Sequence, residues 1–320
     1  TLLSNAHEDL VRRAVVRLEQ VYRAYARYLP PRQKGGKPTR IVLFRSLDDY
    51  QGFLKEAGDH VLNPAFYDPD TNRILCASNL ERLAQQLADA RKHHREMLAD
   101  LKRREREWRR QNHGHLTSSL ADYLHRQRVR IEATNRRNNR VLDRATQHLF
   151  QTLYHEAFHA YLDNFVYPHR TTTVPRWLNE GLAQIFEAGI VEAGEVRVGA
   201  ADPDRLDRLR QGFAKGTALS LIDILHSGFS QFVVERDGDQ ARSSEYYLHS
   251  WALAHYLMFE RKLLGTSALD RYVLALHQHV NPASAFQELV GQPLPEFEKD
   301  FRSYVRRLQP DGTVAARPAK

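Results

Sequence analysis

Residues 154–162, Tyr-His-Glu-Ala-Phe-His-Ala-Tyr-Leu, decide how the rest of the chain is organised. They contain the pattern His-Glu-x-x-His in a run without Gly or Pro, and the apolar spacing around it predicts a helix. On a helix, His155 and His159 lie one turn apart on the same face, so both imidazoles can reach one metal ion. Glu156 lies about 100° around the helix, where a general base is needed. A third ligand must distinguish a metal site from a helix with two incidental histidines.

The composition is that of a soluble globular protein, with 320 residues, 42% of them hydrophobic and 27% charged, enough to bury a large core. Its single cysteine, Cys76, excludes an internal disulfide and a multi-cysteine zinc site. No apolar run is long enough to span a membrane, and no signal peptide is visible. Because the chain begins at Thr1 rather than Met, we favour an extracytoplasmic location, secreted or periplasmic, over a cytoplasmic one.

The first segment, residues 1–80, is predicted to form an N-terminal helix and a small mixed sheet. Apolar residues at helical spacing predict a helix over residues 7–28, and the β-branched run Arg40–Phe44 predicts a strand. A helix start follows, with Ser46 as its cap. Residues 65–67 and 73–76 flank a turn-rich centre and predict a β-hairpin.

The second segment, residues 81–138, has the pattern of a basic helical hairpin. Apolar residues recur at spacings of three and four, and residues 111–114 interrupt them. We interpret the segment as an antiparallel hairpin insertion, with Ser118 or Ser119 capping its second helix. Dense basic clusters such as residues 102–104 could bind nucleic acid, but no recognised binding motif is present. We therefore interpret the charges as a solvated face, with partner binding or substrate gating as the alternatives.

The remainder of the chain is predicted to be largely helical. Residues 139–190 carry the active helix, over about 140–165, and a second helix after it. Residues 191–308 form a helical C-terminal subdomain after a short Gly-rich hairpin, and the Pro/Ala/Lys-rich residues 309–320 are predicted to be a disordered tail. We therefore expect an α+β fold that is mostly helical, with a small N-terminal sheet, a helical-hairpin insertion and a helical C-terminal subdomain.

A candidate third ligand follows 21 positions after His159. Catalytic zinc usually takes three protein ligands and leaves one position for water. The chain lacks the glycine and third histidine of a metzincin extension, which excludes that class. Instead, residues 175–184, Pro-Arg-Trp-Leu-Asn-Glu-Gly-Leu-Ala-Gln, place Glu180 on a second predicted helix. Small residues beside it, Gly181 and Ala183, are expected to permit close packing of this helix on the first.

His-Glu-x-x-His followed by Trp-Leu-Asn-Glu-Gly-x-Ala resembles the gluzincin pattern of the MA clan of zinc metallopeptidases, as in M1-type aminopeptidases. The chain also resembles the peptidase-MA-like proteins of the DUF1570 group. The residues that carry this second likeness lie at 66–73, 246–253 and 297–304. The resemblance covers roughly residues 8–308 without the hairpin, and it implies a zincin-like metallopeptidase fold.

The resemblance implies one catalytic zinc ion, bound by His155, His159 and Glu180. A donor set of two imidazole nitrogens and one carboxylate oxygen independently suits Zn²⁺. The resemblance further implies that a zinc-bound water attacks the scissile carbonyl of a peptide, with Glu156 as the general base.

Further polar residues near these motifs are assigned roles with alternatives. In M1-like enzymes a tyrosine stabilises the oxyanion, and Tyr247 is the matching candidate here, with Tyr246 as the fallback. The alternative is that both tyrosines only pack at a helix start. Asp163 and Asn179 are candidates to support the metal ligands, or else surface or capping residues. Two histidines of the same part of the chain are interpreted as solvated or core residues: His249 and His255.

Two departures from the M1 pattern limit the activity that the resemblance implies. The Gly-x-Met-Glu-Asn segment that binds a free amino terminus is absent, which favours an endopeptidase with a peptide or protein substrate. We expect residues 73–76 to be the edge strand along which that peptide adds. The basic hairpin is the second departure.

Two other functions are alternatives to a peptidase. One is a weak or inactive peptidase scaffold that binds a partner, including an anionic one, through the hairpin. The other is a zinc hydrolase of another amide or ester.

Overall fold

A four-stranded mixed sheet forms the N-terminal part of the fold. The computed structural model describes residues 1–34, 36–57, 63–232 and 239–316. The strands are β1 (Leu2–Ser4), β2 (Arg40–Phe44), β3 (Ala65–Asp68) and β4 (Arg73–Ala77). They lie in the order β1-β2-β4-β3, with β2 parallel to both β1 and β4 and with β3 antiparallel to β4. The prediction that residues 73–76 form an edge is therefore wrong, because β4 is paired on both sides. The predicted hairpin is confirmed, and its first strand, β3, is the edge.

Helices make up most of the described residues, so the predicted α+β, mostly helical class is confirmed. In chain order they are α1 (Glu8–Tyr28), α2 (Leu47–Ala57), α3 (Leu80–Gln111), α4 (Ser118–Tyr161), α5 (Arg176–Glu187), α6 (Pro203–Lys215), α7 (Leu221–Leu225), α8 (Asp239–His255), α9 (Ser267–His277), α10 (Pro282–Val290) and α11 (Leu294–Arg307). The predicted cap of α2 is confirmed, since Ser46 Oγ accepts a hydrogen bond from Asp49 N at 3.0 Å. Among the described residues, no helix is both long and apolar enough to cross a membrane.

Helices α3 and α4 form the predicted antiparallel hairpin, but α4 does not end where the hairpin does. It runs without a break through residue 138 to the metal motif, so the helix predicted to begin near residue 140 begins at Ser118. No Gly or Pro interrupts this stretch, which explains the continuity. The N-cap is Thr117 rather than Ser118 or Ser119, because the Thr117 hydroxyl accepts a hydrogen bond from Leu120 N at 3.4 Å. At about 1.5 Å per residue, α4 is roughly 65 Å long.

Helix α5 lies in the core between α4 and α8. A Cβ atom on Gly181 would lie 2.3 Å from the backbone oxygen of Ser250 and 2.8 Å from the Cβ of Ala254. Gly181 therefore allows α5 to pack closely on α8, and the expectation that it faces the first metal-binding helix is wrong. The packing of α5 on α4 is made by larger apolar residues, including the stacked rings of Phe158 and Phe186, 5.0 Å apart.

The C-terminal part contains a side-chain-capped helix, α6, and a folded segment where a disordered tail was predicted. Helix α6 is capped by Asp202, whose side chain accepts a hydrogen bond from Arg205 N at 3.0 Å. Residues 309–316, predicted as part of a disordered tail, instead fold back: Leu308 pairs with Val314, and Ala201 N donates to Pro310 O at 2.9 Å. Residues 317–320 lie outside the described residues. The predicted Gly-rich hairpin is confirmed as strands β5 (Ile190–Glu192) and β6 (Glu195–Arg197).

Candidate metal centre

Two histidines of α4 and one glutamate of α5 converge on a single point. His155 Nε2 lies 3.2 Å from Glu180 Oε2, and His159 Nε2 lies 3.6 Å from Glu180 Oε1. One ligand atom from each of the three residues can be chosen so that all lie within 4.8 Å of one another. A tetrahedral zinc site with bonds of about 2.0–2.1 Å separates its ligand atoms by roughly 3.3 Å. The three residues predicted from the sequence therefore form a cluster that could hold a metal ion.

Glu180 occupies this position because α5 is a core helix. From Trp177 to Phe186 every residue except Asn179 is buried, and Glu180 itself is 1% exposed. A buried carboxylate requires compensating charges or hydrogen bonds. Beside the two imidazoles, Arg176 Nη2 lies 2.9 Å from Glu180 Oε1, one turn away on the same helix.

These contacts set the protonation of the cluster. Burial alone would raise the pKa of Glu180, but His159, His155 and Arg176 outweigh it and lower that pKa to about 2. Burial alone would lower the pKa of His155, but its hydrogen bonds to Glu180 and Glu187 raise that pKa well above the ordinary value. Burial lowers the pKa of His159. These contacts favour the ionised form of Glu180 and the protonated form of His155, and a divalent cation would displace that proton.

The outer nitrogen of each histidine is held by a side chain of α5. His155 Nδ1 lies 3.0 Å from Glu187 Oε2, and His159 Nδ1 lies 2.9 Å from Asn179 Oδ1. When each Nδ1–H donates to its oxygen, the lone pair of each Nε2 points toward Glu180, which is the tautomer that a metal requires. Asn179 was among the predicted supporting residues, whereas Glu187 was missed. The missed signal is its position seven residues after Glu180, two helical turns along the same face.

Glu156 lies outside this cluster and is bound to the edge strand. Its Oε2 accepts a hydrogen bond of 2.8 Å from the backbone nitrogen of Tyr67 in β3. The Tyr67 hydroxyl in turn donates to Asp163 Oδ2 at 2.7 Å. Asp163 therefore contacts the edge strand, and no described contact joins it to the histidines that it was predicted to support. Its other oxygen accepts from His169 N at 2.7 Å.

Tyr247 and Tyr246 lie in the middle of α8 and occupy different environments. Tyr247 lines a cavity together with His155, and its hydroxyl donates to Phe232 O at 3.3 Å. Burial raises the pKa of Tyr247, so its hydroxyl keeps its proton and can act as a donor. Tyr246 is buried against the ring of Phe232 and does not line this cavity. Of the two, only Tyr247 is placed beside a metal-cluster residue.

The two remaining histidines are core residues, as interpreted from the sequence. Each is 1% exposed. His249 Nδ1 lies 2.8 Å from Glu245 O on its own helix. His255 bridges two other parts of the chain, with its Nδ1 2.8 Å from the Tyr304 hydroxyl and its Nε2 3.0 Å from Gly199 O.

Comparison with known families gives one match. Residues 150–269 match the family model described as a protein of unknown function, DUF1570. The matched region contains all three residues of the cluster together with Glu156 and Tyr247. The family description names no activity. No curated protein matches the chain.

Proposed function

We propose that this chain is a zinc-dependent peptide hydrolase, a gluzincin metallopeptidase with a zincin-like fold that acts as an endopeptidase. The observation that carries the proposal is that two features lie next to each other in the fold. A cluster of two histidines and one glutamate lies beside Glu156, and Glu156 is fixed at the edge of a sheet. A metal site alone would not need that second carboxylate.

Zinc fits the cluster because of its donors and their spacing. Two imidazole nitrogens and one carboxylate oxygen are a common zinc-binding set in hydrolases, and the ligand distances of 3.2 and 3.6 Å are close to those of a tetrahedral site. Glu187 and Asn179 supply the outer hydrogen bonds that metal-binding histidines usually make. When bound, zinc would supply the Lewis acidity that polarises a scissile carbonyl and acidifies a water molecule.

The residues around the cluster have separate tasks in the proposed reaction. Glu156 Oε2 is held by the Tyr67 amide, and Oε1 has no hydrogen-bond partner among the described residues. Oε1 is therefore the atom that accepts a proton from the attacking water and then donates it to the leaving amine. Tyr247 gives up the hydrogen bond that its hydroxyl donates to Phe232 O. The hydroxyl then donates a hydrogen bond to the developing oxyanion. An extended substrate pairs with the outer edge of β3, next to Glu156.

Replacing Glu156 by Gln tests this proposal. The wild type and Glu156→Gln should each bind about one zinc ion per chain, since Glu156 is not in the cluster. Loss of the base should lower cleavage of casein by about 10²–10⁴-fold. Glu195→Gln, an exposed change in β6, is the matched control and should cleave like the wild type. Equal activity of the wild type and Glu156→Gln would contradict the proposal.

A second candidate function is supported by the charge of the hairpin. Residues 81–138 hold 15 Lys and Arg against 8 Asp and Glu, a net +7 out of the chain's +8. A peptidase scaffold with weak or no turnover could bind an anionic partner through this segment. The test is a mobility shift with DNA or RNA at low salt, repeated after neutralising Arg103, Arg104 and Arg106. A shift that is lost in the variant, together with no cleavage by the wild type, would favour this function over the first.

A further inference from the structure

A cavity of about 380 Å³, lined by residues with polar or charged side chains, opens beside His155 between α5, α6 and α8. Side chains of Gln184, Glu187, Arg205, Ser243 and Tyr247 contribute to its lining. Its volume is at the lower end of the range for ligand sites, which suits one side chain or one chain terminus of a substrate. Because the cavity reaches a residue of the metal cluster, whatever fills it lies next to the scissile bond of the proposed reaction.

Arg205 is the positively charged side chain of this lining. Its guanidinium lies over the ring of Trp251, 5.8 Å from the centroid, and Trp251 is 1% exposed. No ion pair to Arg205 is present among the described residues. Arg208, one turn further along α6, differs in this respect, because its Nη2 lies 2.7 Å from Glu245 Oε1. Arg205 is therefore held in place by an aromatic ring while its N–H groups stay available to a ligand.

The sum of the charges around the cluster also leaves the positive charge of Arg205 unbalanced. Glu156, Glu180 and Glu187 supply three negative charges. A bound zinc ion, together with Arg176, which is paired with Glu180, would supply three positive charges. Arg205 adds a further positive charge that no carboxylate of the described part of the chain neutralises within 4.0 Å. Glu187, the acidic residue of the lining, already has Oε2 bound to His155. A carboxylate on the substrate would complete the balance.

We infer that Arg205 is a specificity-determining residue that binds a carboxylate of the substrate beside the scissile bond. The planar guanidinium can donate two parallel hydrogen bonds to such a group, and Ser243 lines the same cavity. The carboxylate belongs either to an Asp or Glu side chain, as in cleavage by an endopeptidase, or to the free carboxyl terminus of a peptide, which would make the activity that of a carboxypeptidase. This inference rests on the proposed peptidase function and names the substrate class of that site.

Matched peptides test the inference. One pair carries Glu or Gln on either side of the cleaved bond, and a second pair ends in a free acid or an amide. The wild type should cleave the carboxylate-bearing member of one pair about 10- to 100-fold better in kcat/KM, as expected for hydrogen bonds to a charged group. Whichever pair shows the preference identifies the source of the carboxylate. Arg205→Gln should bring that ratio close to one, and Arg205→Lys should restore part of it.

Arg208→Gln is the control, because it removes a neighbouring cation that is already paired with Glu245. It should keep the wild-type ratio, and melting temperatures of both variants exclude unfolding as the cause. Calorimetry of the same peptide pairs with Glu156→Gln measures their affinity for the site in the absence of cleavage.

The outcomes separate the two proposals. Cleavage without any preference for the carboxylate overturns the assignment of Arg205 and leaves the peptidase function standing. Binding that prefers the carboxylate and depends on Arg205, without cleavage by the wild type, overturns the peptidase function and supports the cavity assignment. If the protein shows neither a binding preference nor cleavage, both proposals are overturned.

Discussion

The two halves of α4 differ in the burial and contacts of the charged side chains next to them. The C-terminal half carries the metal cluster, where Glu180 is 1% exposed and is contacted by two imidazoles and a guanidinium. The N-terminal half belongs to the hairpin, where ion pairs are local and open to solvent, as on the adjacent helix α3 between Arg104 and Asp100, 2.7 Å apart, with the arginine side chain 72% exposed. Helix α4 therefore lies next to a buried, closely contacted charge at one end and next to solvent-exposed ion pairs at the other.

The difference comes from what packs on the helix rather than from the helix itself. In the C-terminal half, α5 covers α4 and is covered in turn by α8, so each charged group has a fixed set of neighbours. In the N-terminal half α3 lies alongside, as the ion pair between Arg128 and Glu105 shows, and water screens the exposed charges. Substitutions should therefore have large effects near α5 and small effects in the hairpin.

Gly181→Ala should produce the largest loss of stability. The added methyl group would lie 2.3 Å from Ser250 O, so α5 and α8 must separate. We expect a decrease of about 3–4 kcal/mol in the free energy of unfolding, measured with urea. Gly52→Ala in α2 is the control, because nothing lies within 4 Å of its Cβ. It should be stabilising by about 0.5–1 kcal/mol, and similar results for the two variants would contradict close α5–α8 packing.

Acid should destabilise the buried region through His255. Burial lowers its pKa to about 4, against an ordinary value of 6.5, with the hydrogen bond to Gly199 opposing the shift. Between those values the unfolded chain binds a proton that the folded chain does not, so stability falls as the pH drops from 6.5 to 4. This loss should reach about 2–3 kcal/mol. His255→Gln should show a flatter dependence of unfolding free energy on pH, and an unchanged slope would refute the assignment.

Glu187→Ala should weaken zinc binding without removing the ligands. The substitution deletes the oxygen that contacts His155 Nδ1, so the imidazole is no longer oriented. We expect the dissociation constant for zinc to rise about 10- to 100-fold, measured by competition with a fluorescent chelator. Glu192→Ala, an exposed change in β5, should leave it unchanged. Equal affinities of the two variants would mean that Glu187 does not support the site.

Charge substitutions in the hairpin should have the smallest effects. Glu105 contacts both Arg109 and Arg128, and these arginines lower its pKa. Even so, Glu105→Gln should reduce the unfolding free energy by no more than about 1 kcal/mol, because such pairs are weak near water. The reduction should shrink further in 0.5 M salt. A loss as large as that of Gly181→Ala would contradict the contrast between the two halves of α4.

Local signals in the sequence were sufficient for the metal cluster. His155 and His159 share a helix face through their spacing alone, and the setting of Glu180 in a second apolar helix identified the third residue. The sheet hairpin and the cap of α2 also follow from short patterns. These features depend on residues close together in the chain or on a motif of fixed spacing.

Features that depend on distant contacts could not be predicted in the same way. Strand order decides that β3 rather than β4 is the edge, and no short pattern encodes that order. The partner of Gly181 is Ser250, almost seventy residues away. Asp163 has the spacing of a supporting residue, yet the position of Tyr67 determines what it contacts. In each case tertiary packing selects one of several arrangements that the local sequence permits.

The zinc content of the purified protein tests the central claim most directly. After dialysis against zinc and removal of excess metal, the wild type should retain about one zinc ion per chain. His159→Gln, which removes one imidazole from the cluster, should retain almost none while keeping a helical circular dichroism spectrum. A wild type that binds no zinc, or a folded His159→Gln that binds zinc as tightly as the wild type, would contradict the assignment of His155, His159 and Glu180 as a metal centre.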